Sequence, residues 1–149
     1  MVNFVIGPAC SGKTSFIKAT FPDATIVDLW DYQKEYRGFN IETITETYLQ
    51  TKEALEHALK ENPEKQIVLE HTMLKAIRRM PYIETVKNMA DVSINCYVMM
   101  PDYDIYKFFC KERKIIPSST EFCLLEIPSQ EEGFDNIFII KPNITKKEK

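Results

Sequence analysis

Apolar residues recur along this chain with two periods. Val2-Asn-Phe-Val-Ile6, Thr25-Ile-Val-Asp-Leu29, Gln66-Ile-Val-Leu69, Val92 to Met99 and Asn136-Ile-Phe-Ile-Ile140 are short runs rich in β-branched and aromatic residues. They predict five strands. Between them the period lengthens. Thr14 to Thr20 reads as a helix that stops before Phe21-Pro22-Asp23, and Ile41, Ile44, Tyr48, Leu55 and Leu59 share one face of a long amphipathic helix over Glu42 to Lys60, ended by Asn62-Pro63. A further helical segment begins at Met73. Pro81 either kinks it or opens a new helix there, because proline has no amide for a helix interior. Tyr103 to Lys114 gives the last helix. Strands alternating with helices require crossover connections, so the expected fold is α/β: three layers, with a mainly parallel five-stranded sheet flanked by helices. Neither a repeat nor a linker breaks the chain. One domain over 1–142 and a short charged tail over 143–149 are expected.

Composition adds limits. The 149 residues are 44% hydrophobic and 28% charged, ordinary globular usage. A chain of this size buries roughly 68 to 70% of its unfolded surface, enough to fold without metal or disulfides. Cys10, Cys96, Cys110 and Cys123 form no CxxC pair, and His57 and His71 are the only imidazoles, which argues against structural zinc. No secretory leader or membrane-length apolar run is present in the sequence. A cytoplasmic protein with reduced thiols and no membrane contact is expected. The net charge of −3 gives no general attraction to polyanions, so any nucleic-acid contact must use a local basic surface.

The strongest chemical signal is Gly7-Pro8-Ala9-Cys10-Ser11-Gly12-Lys13-Thr14, a full GxxxxGK[ST] match directly after a strand and before a helix. The glycines let backbone amides close around a phosphate, and the helix start adds its partial positive charge. Lys13 would reach the β- and γ-phosphates, and the Thr14 hydroxyl would ligate Mg²⁺. The expected fold is therefore that of a P-loop NTPase. Cys10 reads as a small loop-filling residue; no histidine stands near it in sequence to make it a nucleophile.

Other residues would complete the chemistry. A carboxylate near the end of the second strand can take a proton from an acceptor hydroxyl, and Asp28 and Asp31 are the candidates. Asp31 is favoured because it lies just past the strand; both could also be solvated or capping carboxylates. Gln66-Ile-Val-Leu-Glu70 is an apolar run ending in an acid, so Glu70 would hold Mg²⁺ through water or orient Thr14, or act structurally. His71 reads as a polar strand-end residue. Lys75, Arg78 and Arg79 follow the third strand, and Lys107, Lys111, Arg113 and Lys114 follow the fourth. Such runs are commonly solvated faces. Beside a phosphate loop, Arg113 with Lys111 would form a cationic lid, Arg113 first because a guanidinium grips two phosphate oxygens.

Together these residues resemble the kinase domain of the polynucleotide 5′-kinase group and its zeta-toxin-like relatives. The resemblance is carried by the phosphate loop, Trp30-Asp31-Tyr32, Glu70-His71-Thr72 followed by Arg78-Arg79, and Pro128 to Ile137, similar to P-x-x-x-E-G-F-x-x-I. It implies Asp31 as general base and puts the Pro128 to Ile137 segment near the nucleotide base. Three departures bear on the acceptor: Trp30 where the group commonly has arginine, Glu70 rather than aspartate, and a compact lid between Lys107 and Pro117. The implied function is γ-phosphate transfer from ATP with Mg²⁺ to a hydroxyl, with a polynucleotide 5′ end the leading acceptor. The alternatives are a nucleoside, sugar or other small hydroxyl compound, or a nucleotide-binding regulator or NTPase with no acceptor. No guanine-reading NKxD tetrad is present, and ATP is taken as the nucleotide.

Overall fold

The computed structural model describes residues 1–28, 41–61, 64–117 and 123–142, with side chains from residue 48 onward in the long helix. Five strands, β1 Val2–Ile6, β2 Thr25–Asp28, β3 Ile67–Glu70, β4 Ile94–Met99 and β5 Asn136–Ile140, form one sheet in the order β2-β3-β1-β4-β5. Every pairing is parallel. The described helices are α1 Lys13–Thr20, α2 Ile41–Glu61, α3 Ala76–Met89 and α4 Tyr103–Glu112, with a 3-10 turn at Gln130–Glu132. None of them is long and apolar enough to cross a membrane.

The central strand explains the layering. β1 is buried along its whole length, so both faces of the sheet are covered there. Val2, Phe4 and Ile6 point into the larger core with Val27, Leu69, Val98 and the inner faces of α2 and α3. Val5 points the other way, onto Val68, Met99 and Ile17 of α1. Asn3, on the face of Val5, would be costly if left alone. It donates to Gln66 Oε1 at 2.7 Å and accepts from Asn95 Nδ2 at 3.2 Å, while Asn136 Nδ2 donates to Asn95 Oδ1 at 2.9 Å. This amide ladder follows the register that pairs Asn3 with Asn95 and Asn95 with Asn136.

Element ends differ from expectation for local reasons. β4 begins at Ile94 rather than Val92, because its partner β1 starts at Val2, opposite Ile94. The third strand takes in Glu70 and leaves Gln66 outside, its side chain engaged by Asn3. Pro81 lies inside α3 and opens no new helix. The carbonyl its missing amide would have met belongs to Ile77, a residue 72% exposed. α4 stops at Glu112, short of Lys114. Lys114 takes φ 58°, its amide donates to Lys111 O at 3.1 Å, and Ile115 N donates to Cys110 O at 2.9 Å. That pair of bonds is a Schellman ending, with lysine where glycine is usual.

Candidate active site

The carboxyl ends of β1, β2 and β3 bring together the loop 7–12, Asp28 and Glu70. The loop is shaped by its backbone. Gly7 has φ 148°, and a Cβ there would lie 2.7 Å from Met99 O and 2.8 Å from Ser11 Oγ, so any side chain would push the loop off β4. Cys10 at φ 63° and Gly12 at φ 91° are left-handed positions separated by Ser11. Turns of this kind leave successive amides facing a common concavity, a geometry suited to anions. Gly12 caps α1 without a side-chain bond, and the helix start turns its partial positive end toward the loop.

The loop is tied to the end of β3 at two points. Gly7 N donates to Thr72 O at 3.1 Å, and Thr14 Oγ1 donates to Glu70 Oε1 at 2.8 Å. Lys13 is buried and folds over the loop, donating to Gly7 O at 3.0 Å and Pro8 O at 2.7 Å. Ser11 Oγ is buried with no hydrogen-bond partner among the described residues, a costly state that a ligand oxygen would relieve. Burial pushes the Glu70 carboxyl above its ordinary value; the Thr14 hydrogen bond opposes this, and the charge of Asp28 adds to it. Asp28 stands beside Glu70 in the strand register. His71 is driven down to about 3, first by burial and then by the charges of Lys13 and Arg78, so it is a neutral imidazole at the edge of the site.

A groove of about 430 Å³ opens from the loop between α1, the ends of β4 and β5, and α4. Cys10, Gly12, Phe16, Phe109, Arg113 and Pro142 are among the residues lining it. It combines apolar walls with the Arg113 guanidinium, the Glu112 carboxylate and the Ser15 hydroxyl, a mixed lining of the kind that small-molecule sites have.

No protein-family model matches the chain, and no curated sequence matches it significantly. Solved structures do match in three dimensions. A gluconokinase from Sinorhizobium meliloti superposes with TM-score 0.62 at 15% identity over 99% of this chain and 85% of that one. A sugar kinase from a Janibacter species gives 0.62 at 11% identity over 94% and 84%. A chain of the Pnkp1/Rnl/Hen1 RNA repair complex gives 0.65 at 13% identity, over 83% of this chain but 41% of that longer one. The fold is that of the P-loop kinases. At these identities the likeness establishes architecture alone. The strand order and all-parallel ladder agree with the three-layer α/β fold expected from the sequence.

Within this P-loop kinase fold, the expected site residues are distributed unevenly. Gly7 to Thr14, Asp28, Glu70 and Arg113 gather around the loop and groove, and Arg113 is close enough for its charge to act on both Cys10 and Glu70. Lys111 is exposed on α4 and does not line the groove. Asp31, with Trp30 and Tyr32, lies outside the described residues. Arg79 is not a phosphate ligand. It is fully buried, donating to Glu132 Oε1 at 2.8 Å, Met73 O at 2.8 Å and Glu126 O at 3.1 Å.

The Pro128 to Ile137 segment is also corrected. Phe134 is in the core, edge-on to Phe4 at 5.3 Å, on the sheet face opposite α1, so the segment does not line the groove. Its glycine is explained by packing: a Cβ on Gly133 would come within 2.8 Å of Ile83. The acid and glycine of this motif brace α3.

Among the groove residues not singled out from sequence are Phe16, Phe109, Glu112 and Pro142. For α4 a signal existed. Tyr106, Phe109, Cys110 and Arg113 recur at the spacing of a single helix face, and that stripe, not the Lys107 and Lys111 face, lies against Cys10 and the groove.

Proposed function

We propose that this chain is a kinase that binds ATP with Mg²⁺ on the loop Gly7 to Thr14 and moves the γ-phosphoryl group to an acceptor hydroxyl. The observation that carries the reading is the Thr14 to Glu70 hydrogen bond at the foot of a glycine loop, in a P-loop kinase fold. The donor set suits the metal. The Thr14 hydroxyl and the Glu70 and Asp28 carboxylates are hard oxygen groups, and among the described residues no cluster of three or more His, Cys, Asp or Glu could cage an ion. That is the arrangement for Mg²⁺, which keeps waters and takes phosphate oxygens. When bound, the ion would neutralise charge on the phosphates. Thr14 would hold it directly and Glu70 would act through water or by fixing the Thr14 rotamer.

The protein groups have separate tasks. Lys13 exchanges its loop carbonyls for phosphate oxygens, and Ser11 Oγ gains a partner in the same step. The apolar walls of the groove hold the base, while Arg113 covers the phosphates as charge spreads in the transition state. Asp31 accepts the acceptor's proton, with Asp28 the other candidate.

The acceptor we favour is a polynucleotide 5′-hydroxyl. The likeness to a chain of an RNA repair complex supports it, as does the exposed Arg78 close enough to His71 for its charge to act there. Small hydroxyl acceptors compete, given the likeness to a sugar kinase and a gluconokinase. Labelled ATP offered with 5′-hydroxyl oligonucleotides, nucleosides and sugar acids in parallel decides between them. Transfer to none of these would overturn the kinase reading.

A further inference from the structure

Two thiols meet where the phosphate loop touches α4. Cys10 and Cys110 are buried and pack together with Tyr106 and Phe109 in one cluster. The other cysteines are elsewhere: Cys96 is in the main core and Cys123 is exposed. Cys10 also lines the groove and keeps 5% of its surface exposed, whereas Cys110 has none. Cys10 belongs to the strained part of the loop, and Cys110 is one turn before Arg113 on the helix that bounds the groove.

We propose that Cys10 and Cys110 form a dithiol site that closes to a disulfide on reaction with a low-molecular-weight disulfide, tethering the phosphate loop to α4 and closing the nucleotide groove. In the first step the Cys10 thiol gives its proton to solvent and its sulfur attacks one sulfur of the small disulfide. A Cys10 mixed disulfide forms and one small thiolate leaves. Cys110 then loses its proton and attacks the Cys10 sulfur, forming the internal S–S bond and expelling the second small thiolate. The protein loses two electrons and two protons; the small disulfide is reduced to two thiols.

Burial, then the Cys110 thiol, push Cys10 up to about 11, against the pull of Arg113 and Lys13. The thiolate is scarce at neutral pH, so the reaction belongs to the slow end of thiol exchange, minutes to hours. The proposal rests on the kinase reading only for its effect on nucleotide. Loop amides that must wrap a phosphate lose their freedom once Cys10 is bonded to α4, and by reciprocity a bound nucleotide must slow the cross-link.

The test uses the full chain carrying Cys123→Ser, incubated with oxidised glutathione with and without Mg²⁺-ATP, then mapped as peptides without reduction. The expected result is a Cys10–Cys110 linked peptide, formed more slowly with nucleotide, with ATP affinity reduced by roughly tenfold or more and restored by dithiothreitol. A Cys110→Ala variant binds ATP as the parent does, forms at most the Cys10 mixed disulfide and makes no internal bond. No internal cross-link, a mixed disulfide that persists in the parent, or a cross-linked chain with unchanged ATP affinity would overturn the proposal. The peptide map decides the thiol site by itself, so a reduced chain that binds no nucleotide would sink the kinase reading and leave this one to stand or fall on the map.

Discussion

Thr14 Oγ1 donates to Glu70 Oε1 at 2.8 Å, and this contact joins the start of α1 to the end of β3. It points one hydroxyl lone pair away from the carboxylate, which leaves it available to a cation. Glu70 is thereby a partner of a ligand, and such partners matter nearly as much as ligands do. Glu70→Ala is expected to keep the fold and to cost about 10- to 100-fold in Mg²⁺ affinity or in transfer rate. Glu70→Gln, which still accepts from Thr14, is expected to lose less. A Mg²⁺ titration of transfer activity separates the two; equal losses would show that the charge, not the hydrogen bond, is what Glu70 supplies.

The general base is decided by paired substitutions. Asp31→Asn is expected to lower product formation by on the order of 10² to 10⁴ while ATP affinity stays unchanged. Asp28→Asn is expected to cost less and to ease ionisation of Glu70, since the charge of Asp28 raises that carboxyl. Single-turnover transfer and ATP calorimetry on both variants make the measurement. If neither reduces transfer, no aspartate of this pair is the base.

The fold was legible because its signals are local. A buried β1 reads as an apolar run, and the loop motif at Gly7 to Thr14 sits between a strand and a helix in sequence as in space. Glu70 was legible for the same reason, as the acid ending a strand. What escaped depends on distant partners. Nothing near Arg79 in sequence reveals that its guanidinium meets Glu132 and the carbonyls of Met73 and Glu126, so the run Lys75, Arg78 and Arg79 read as a solvated face or a cationic group beside the phosphate loop, not as a buried brace. The Cys10 and Cys110 contact joins positions in loop and helix that share no motif.

His71 makes acid stability a specific test. Its imidazole ionises at about 3 in the folded chain against 6.5 when free, because burial and the charges of Lys13 and Arg78 oppose protonation. Above pH 6.5 neither state holds this proton and the effect is absent. Between 6.5 and about 3 the unfolded chain binds it and the folded chain does not, so stability falls as pH falls, by on the order of a few kcal/mol across the window. Glu70, raised by burial, acts in the opposite sense above its ordinary value. Urea unfolding of the parent and His71→Gln over a pH series should show a shallower slope for the variant; identical slopes would refute the assignment.

Lys114 occupies a left-handed position at φ 58°, where a side chain costs roughly 1 kcal/mol or more. Lys114→Gly keeps the two closing bonds of the helix and removes that strain. It should raise stability by about 0.5–1 kcal/mol in urea melts, a balance of relieved strain against glycine's greater freedom when unfolded. A destabilised variant would mean that the lysine side chain itself contributes at the end of α4.

The Arg79 to Glu132 pair separates a charge that is needed from one that is tolerated. Arg79 is fully buried, bonded through Nε to Glu132 Oε1 at 2.8 Å and through Nη2 to Oε2 at 3.2 Å, while Glu132 also accepts from Ser129 N at 2.9 Å. Removing one partner strands the other in the interior, so Arg79→Met alone is expected to cost about 3–5 kcal/mol. Pairing it with Glu132→Leu removes both charges and should recover a large part of that loss, because the desolvation of two ions is no longer incurred. Recovery will be incomplete. The guanidinium also satisfies the carbonyls of Met73 and Glu126, and Met73, at φ 38°, holds the chain just past the Thr72 carbonyl that receives Gly7 N. Stability of both variants in urea, measured with their ATP affinities, tests this: a double variant that regains most of the lost stability but stays weaker for ATP is the expected signature of a brace for the phosphate loop, and one with parental affinity would make the pair purely structural.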